Sequence, residues 1–247
     1  MPSMSRWQRQ IVSYVLSFIV YSSLMNWKVA LVLMGGIAFH EGGHLLMAHR
    51  LGMRTKGFYL WPLMGGMALV ADSFKSYRNQ AMVMLAGPIA GGLLTVVCYG
   101  AYLLTGWSIL GGAAYWMAWV NLFNLLPIAM LDGGQLMDSV LFSVNELLGA
   151  IYTTISYAIA VFILWHFNPV IILLVVFSGI PHLLWTWKSY HARKETPELP
   201  GFELPIKMNA SELAITLLVY SITAGSLYWL INYLSHQSLN MSKLLHS

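Results

Sequence analysis

Seven stretches of this chain, near residues 7–26, 28–49, 79–104, 107–130, 147–166, 168–187 and 210–234, stay mostly apolar for about twenty residues before charge or Pro/Gly clusters end them. A stretch that long has few options. Inside hydrocarbon the backbone must satisfy its own hydrogen bonds, so each run predicts a helix long enough to span a bilayer. With 58% hydrophobic residues, 9% charged and a mean hydropathy of +0.66, the chain departs far from a soluble domain, where about 25% of residues are charged. The expected fold is all-α and polytopic, with about seven transmembrane helices. The single cysteine, Cys98, lies in the apolar run GGLLTVVCYGAYLL; it excludes an internal disulfide and reads as a packing thiol.

Charge placement gives an orientation. With a cytoplasmic N-terminus, Arg6, Arg9, Arg50, Arg54, Lys56, Lys75, Arg78, Lys188, Arg193, Lys194 and Lys207 fall inside, and only Lys28 and Lys243 fall outside. The expected location is therefore the cell membrane, multi-pass, with the N-terminus cytoplasmic. The net charge of +4 follows from this topology and from anionic headgroups. Basic residues scattered over several loops argue against a nucleic-acid partner. No small-x-small cleavage site follows Arg6 and Arg9, and Trp7 and Trp27 stand where interfacial anchors belong, so the first run predicts a signal anchor.

One run carries charge where lipid should forbid it. His40, Glu41 and His44 sit inside IAFHEGGHLLMAHRLGM, although an ionisable group at the bilayer centre costs about 2.5–3.5 kcal/mol. On a helix, positions 40 and 44 share a face, so both imidazoles can reach one ion while Glu41 stands beside it, an arrangement suited to zinc. Catalytic zinc takes three protein ligands and keeps one position for water. Among the acidic residues, Asp132 is the economical third ligand. It lies in NLFNLLPIAMLDGGQL, where Pro127 interrupts a run and Gly133-Gly134 permit an irregular turn. One zinc ion at +2 balances ionised Asp132 and Glu41, turning two costly carboxylates into a neutral cluster. The alternative use of these four residues is a buried ion-pair network between helices.

His40-Glu41-Gly42-Gly43-His44 together with Asn124-x-x-Pro127-x-x-x-Leu131-Asp132-Gly133-Gly134 resembles the paired motifs of the site-2 protease family of intramembrane zinc metalloproteases. LAGPIAGG, 85–92, is similar to the glycine-proline segment of that family's next core helix, but lacks its usual asparagine shortly after the proline. GFYLWPLMGGMALVAD, 57–72, stands in the place of the family's membrane-reentrant β-hairpin. The resemblance covers about residues 28–135 and implies a three-helix catalytic core. It further implies zinc on His40, His44 and Asp132, with Glu41 as general base and Asn124 holding substrate or oxyanion. The implied reaction is hydrolysis of a peptide bond in or near the transmembrane segment of a membrane-protein substrate, the chemistry of regulated intramembrane proteolysis.

The expected organisation is a signal-anchor helix at 1–27, the metalloprotease core at 28–140, additional transmembrane helices at 141–187, a cytoplasmic connector at 188–209, and a last helix and tail at 210–247. The 50–78 loop is too short for a substrate-sorting domain, which takes at least about 50 residues. Substrate choice then falls to the membrane region, the connector or a regulatory membrane partner. A non-proteolytic membrane metal protein, either a transporter or an inactive protease-like scaffold, is the competing class. A transporter would show polar ligands along several helices, often in two related halves. The sequence shows one compact site, no repeat and an intact Glu41.

Overall fold

The computed structural model describes residues 5–62, 65–165, 179–188, 190–191 and 205–236. In chain order these form α1 (Arg6–Leu24), α2 (Trp27–Arg50), β1 (Thr55–Trp61), β2 (Gly65–Val70), α3 (Tyr77–Thr105), α4 (Ser108–Asn124), α5 (Asp132–Val144), α6 (Glu146–Trp165), α7 (179–188) and α8 (Ala210–His236). The helical membrane architecture with a small hairpin is as expected.

Among the described residues, α2, α3, α6 and α8 are long and apolar enough to cross a bilayer. The expected fourth span shrinks, because α4 stops at Asn124 after 17 residues. A helix that no apolar run announced, α5, begins at Asp132. The run at 168–187 falls largely outside the described residues. Leu93, Val96, Val97, Leu103 and Leu104 on α3 are exposed, as are Ile215, Leu218, Ile222 and Trp229 on α8. Such faces are stable against lipid tails and costly against water.

The chain divides into two compact units, the first comprising Met1–Ser73, Leu85–Asn124 and Tyr220–Ser247. Within it, Ser5 and Gln8 form a reciprocal capping box at the start of α1, and Asn26 Oδ1 accepts from Val29 N at 2.8 Å to start α2. Cys98, Tyr99 and Tyr102 of α3 pack on Ala114, Leu230 and Leu234, so the thiol is a packing group, as its neighbours in sequence predict.

The hairpin is antiparallel, with Phe58 opposite Ala68, Tyr59 opposite Met67, and Leu60 opposite Gly66. Side chains of α1 occupy the outer edge of β1. Tyr14 Oη donates to the Phe58 carbonyl at 2.9 Å, Gln10 Nε2 to the same carbonyl at 3.3 Å, and Ser17 Oγ to the Leu60 carbonyl at 3.0 Å. Gly57 has φ +83, and a Cβ there would collide with Gln10 Nε2, so only glycine fits this close pass beside the bulge.

That edge contact fixes the polarity of β2. Phe58 and Leu60 turn their carbonyls toward α1, so they and their partners form non-hydrogen-bonded pairs. The backbone groups of Gly66 and Ala68 therefore point away from β1, along the other edge of the sheet.

The second unit comprises Phe74–Met84 and Leu125–Val219. Its segment 125–131 is irregular, with Met130 at φ 75, and its backbone polar groups need partners at membrane depth. Ser156 Oγ of α6 accepts from Ala129 N at 2.5 Å, while Ile128 N reaches the Leu126 carbonyl at 2.8 Å. Gly133 and Gly134 are themselves helical, and their role differs from a flexible turn. A Cβ at either would run into the carbonyls of Leu125 or Ile128, so the pair lets the segment fold back against the start of α5. The end of the connector is pinned, as Ile206 bridges Ser76 and Met208 N donates to Ser143 Oγ at 3.1 Å. Asn209 and Glu212 then cap α8 reciprocally. Pro197 and Pro200 lie outside the described residues.

Asp138 of α5 lies outside the four candidate spans, and burial pushes its carboxyl up to about 7, with the Thr153 hydroxyl at 2.6 Å pulling the other way. Unfolded, the group titrates near 3.9, so between about pH 4 and 7 the folded chain binds more protons than the unfolded one, and stability falls as pH rises. Asp138→Asn should melt with the parent protein at pH 4 and several degrees above it at pH 8 in a thermal scan. Equal melting at both pH values would contradict this account.

Candidate metal centre

Helix α2 carries the centre, and its burial pattern explains the charge in that run. His40, Glu41 and His44 are all buried, whereas Phe39 and Leu46 on other faces are exposed. One face thus turns to protein and the rest to lipid. His49, outside this cluster, is exposed at the helix end as its position beside Arg50 predicts.

The two imidazoles aim at each other. His44 Nε2 lies 3.1 Å from His40 Nε2, with ring centroids 4.8 Å apart and ring planes at 76°. At Zn–N distances of about 2.0–2.1 Å, two nitrogens on one tetrahedral ion stand about 3.3 Å apart, so this spacing is close to a zinc bite. Among the described residues, one His/Cys/Asp/Glu group can hold a metal. His40 and His44 of the first unit supply its two nitrogens, and Asp132, the third ligand that the sequence predicts, opens α5 in the second unit. The donor set fits zinc, two neutral nitrogens and one carboxylate oxygen.

Glycines make room for this cluster. An ideal Cβ on Gly87 of α3 would collide with His44 Nε2 and stand 2.8 Å from His40 Nε2. One on Gly43 of α2 would strike the Ala86 carbonyl and stand 2.7 Å from Ala90 Cβ. The two helices thus approach backbone to backbone at the level of the histidines, a closeness only small residues permit. The position of Gly87 under the imidazole rings is visible only in three dimensions.

Glu41 meets the hairpin. A Cβ on Gly66 of β2 would stand 2.5 Å from Glu41 Cγ and 2.6 Å from Oε1, so this carboxylate lies directly beneath the open-edge strand. Behind the ring of His40, Asn121 of α4 is fully buried, with its Oδ1 2.8 Å from His40 Nδ1. The motif resemblance gives the functional part to Asn124. Asn124 is half-buried at the last turn of α4, where its Nδ2 donates to the Val120 carbonyl at 2.9 Å. Segment 125–131 separates Asn124, at the end of α4, from Asp132, at the start of α5.

Comparisons with known proteins agree with this chemistry. The model of peptidase family M50 matches residues 28–113 and 105–167. Rip3 of Mycobacterium tuberculosis, named as a zinc metalloprotease, is 32% identical over 134 residues, which cover 49% of this chain and 34% of that protein. The protein sll0528 of Synechocystis sp., similarly named, is 30% identical over 121 residues, covering 47% of this chain and 32% of its own length. The matched region thus spans about a third of these curated relatives. Since the family match extends across more than half of the 247 residues and takes in the zinc-fitting cluster, the chain belongs to peptidase family M50, the site-2 protease family of zinc metalloproteases.

Proposed function

We propose that this protein is an intramembrane zinc endopeptidase that cuts a peptide bond in or near the transmembrane segment of a membrane-protein substrate. The observation that carries the reading is the burial of Glu41 between a zinc-fitting cluster and an open strand edge. When bound to His40, His44 and Asp132, zinc supplies a water of lowered pKa and a Lewis acid for the scissile carbonyl. Glu41 takes a proton from the attacking water and delivers it to the leaving amine. Asn124, whose Nδ2 is held by the Val120 carbonyl, contributes by holding substrate or the developing oxyanion.

A transmembrane helix shields its own peptide bonds, so the substrate must be drawn out straight before water can attack. Strand addition does this, and the sheet offers one place for it. Side chains of α1 hold the carbonyls of β1, leaving the outward groups of Gly66 and Ala68 on β2 as the ladder for substrate, directly over Glu41. Ala68→Pro deletes one outward N–H while sparing the pairing with β1, a place where edge strands tolerate proline. It should lower kcat/KM for a membrane substrate by about tenfold, the worth of one hydrogen bond, with zinc content unchanged. Unaltered cleavage would remove β2 from the substrate path.

The eleven-to-two placement of Lys and Arg supports a cytoplasmic N-terminus in the cell membrane. The decisive test uses the full chain in lipid vesicles with a panel of fluorescent single-span peptides, products being mapped by mass spectrometry. Cleavage should stop on chelation and return with one equivalent of zinc. Zinc flux into the vesicles without cutting of any peptide would replace this reading with transport.

A further inference from the structure

The bond between α4 and the His40 ring has a direction. Asn121 Nδ2 donates to the Met117 carbonyl at 2.6 Å, which leaves Oδ1 as the atom facing His40 Nδ1 at 2.8 Å. A carbonyl oxygen can only accept, so Nδ1 carries the hydrogen and the lone pair of His40 lies on Nε2, the atom 3.1 Å from His44 Nε2. Reversing the carboxamide would put an N–H against a ring nitrogen and an oxygen against the Met117 carbonyl. The Met117 carbonyl therefore selects the tautomer of a ring one side chain away.

Space for that carboxamide comes from α3. An ideal Cβ on Gly91 would overlap Oδ1, Nδ2 and Cγ of Asn121 together, so the amide group fills the volume that any side chain at 91 would claim. Thr95 Oγ1 caps the same turn, donating to the Gly91 carbonyl at 2.9 Å. Gly91 and Asn121 are a matched pair, one giving up its side chain so that the other can reach behind the histidine.

We propose that Asn121 is a positioning residue for the metal, fixing the tautomer and aim of His40, and that Gly91 exists in this chain to admit it. The proposal rests on the zinc reading of His40 and His44. Partners behind a metal-bound histidine typically matter by about 10–100-fold in metal affinity. Asn121 touches neither substrate nor reacting atoms, so its effect falls on metal retention.

The pair makes a sharp test, because a carboxamide can be moved from one helix to the other. Purified full-length protein is titrated with zinc against a chelator of known affinity, and the same samples are melted in the absence of metal. Asn121→Gly should weaken zinc by about 10–100-fold. Gly91→Asn alone should also weaken it, since two side chains then contest one volume. Combined, the two substitutions place a carboxamide from α3 in that volume and should return the affinity to within about threefold of the parent, a non-additivity expected only of residues acting at one place. Asn121→Ser repeats the first measurement should the glycine variant fail to fold. Zinc affinity unchanged by loss of Asn121, or a combined variant no better than Asn121→Gly, overturns the proposal; a melting temperature that falls while zinc affinity holds would show a packing role alone. A parent protein that binds no zinc would defeat the metal reading itself, which the parent titration reveals separately.

Discussion

Glu41→Gln should reduce peptide cleavage by about 10²–10⁴-fold, the usual worth of general acid–base catalysis, while the purified protein keeps one zinc per chain. The substitution is nearly isosteric, so the carboxamide still fits the gap against Gly66, where the native Oε1 would stand only 2.6 Å from an added Cβ. What it loses is the ability to take a proton from water. Cleavage is read from the single-span peptide assay in vesicles, and zinc from elemental analysis of the same sample. Parallel loss of zinc and activity would assign Glu41 to holding the site together. Proteomic comparison of membranes carrying the parent and Glu41→Gln proteins would also name the substrates, as precursors that accumulate only with the variant.

The second large effect comes from a residue that is no ligand at all. Gly87→Ala adds one methyl group to α3, yet that methyl would fall against Nε2 of His44 and within 2.8 Å of Nε2 of His40. It is fixed to a helix backbone and cannot swing aside. The rings must turn away, and with them the two nitrogens that suit a zinc bite. Zinc binding should fall by at least about a hundredfold, and cleavage with it, although every ligand remains in the sequence. Gly92→Ala serves as the control, because its added methyl would meet only Leu227 at 3.5 Å, an ordinary contact, and should leave zinc affinity unchanged. A Gly87→Ala protein that binds zinc as the parent does would show that α3 is free to withdraw from α2.

Much of this centre is legible in one dimension, for a definable reason. A helix fixes the relation of His40 to His44 within a single turn, so their spacing alone announces a shared ligand site. Asp132 is legible by exclusion, since few carboxylates stand beside apolar runs. Harder to read are relations between helices. Asn121 and Gly91 lie 30 positions apart, and neither hydropathy nor motif connects them; the missing asparagine after Pro88 reads in sequence as a bare departure from the family pattern, and only the packing of α4 on α3 shows a carboxamide arriving at Gly91 from elsewhere. The fourth apolar run misleads in the opposite way. Leu125, Leu126, Ile128 and Ala129 continue its hydrophobicity past Asn124, but Pro127 and the need to pass close by Gly133 and Gly134 end the helix there. Hydropathy reports burial in the membrane, and a buried irregular segment is as apolar as a buried helix. The short α5 is hidden for the opposite reason, its Asp138 and two serines making it look like a loop.

The α1 side chains that occupy one flank of the hairpin have a consequence for turnover. A two-stranded sheet closed on one flank can accommodate a single visitor at a time, in one lane. On the proposed reading, the half of the polypeptide laddered to Gly66 and Ala68 would have to peel off after hydrolysis before the next molecule could enter. Detachment, more than bond breaking, would then limit the steady-state rate, and short extended peptides resembling the retained half should behave as competitive inhibitors.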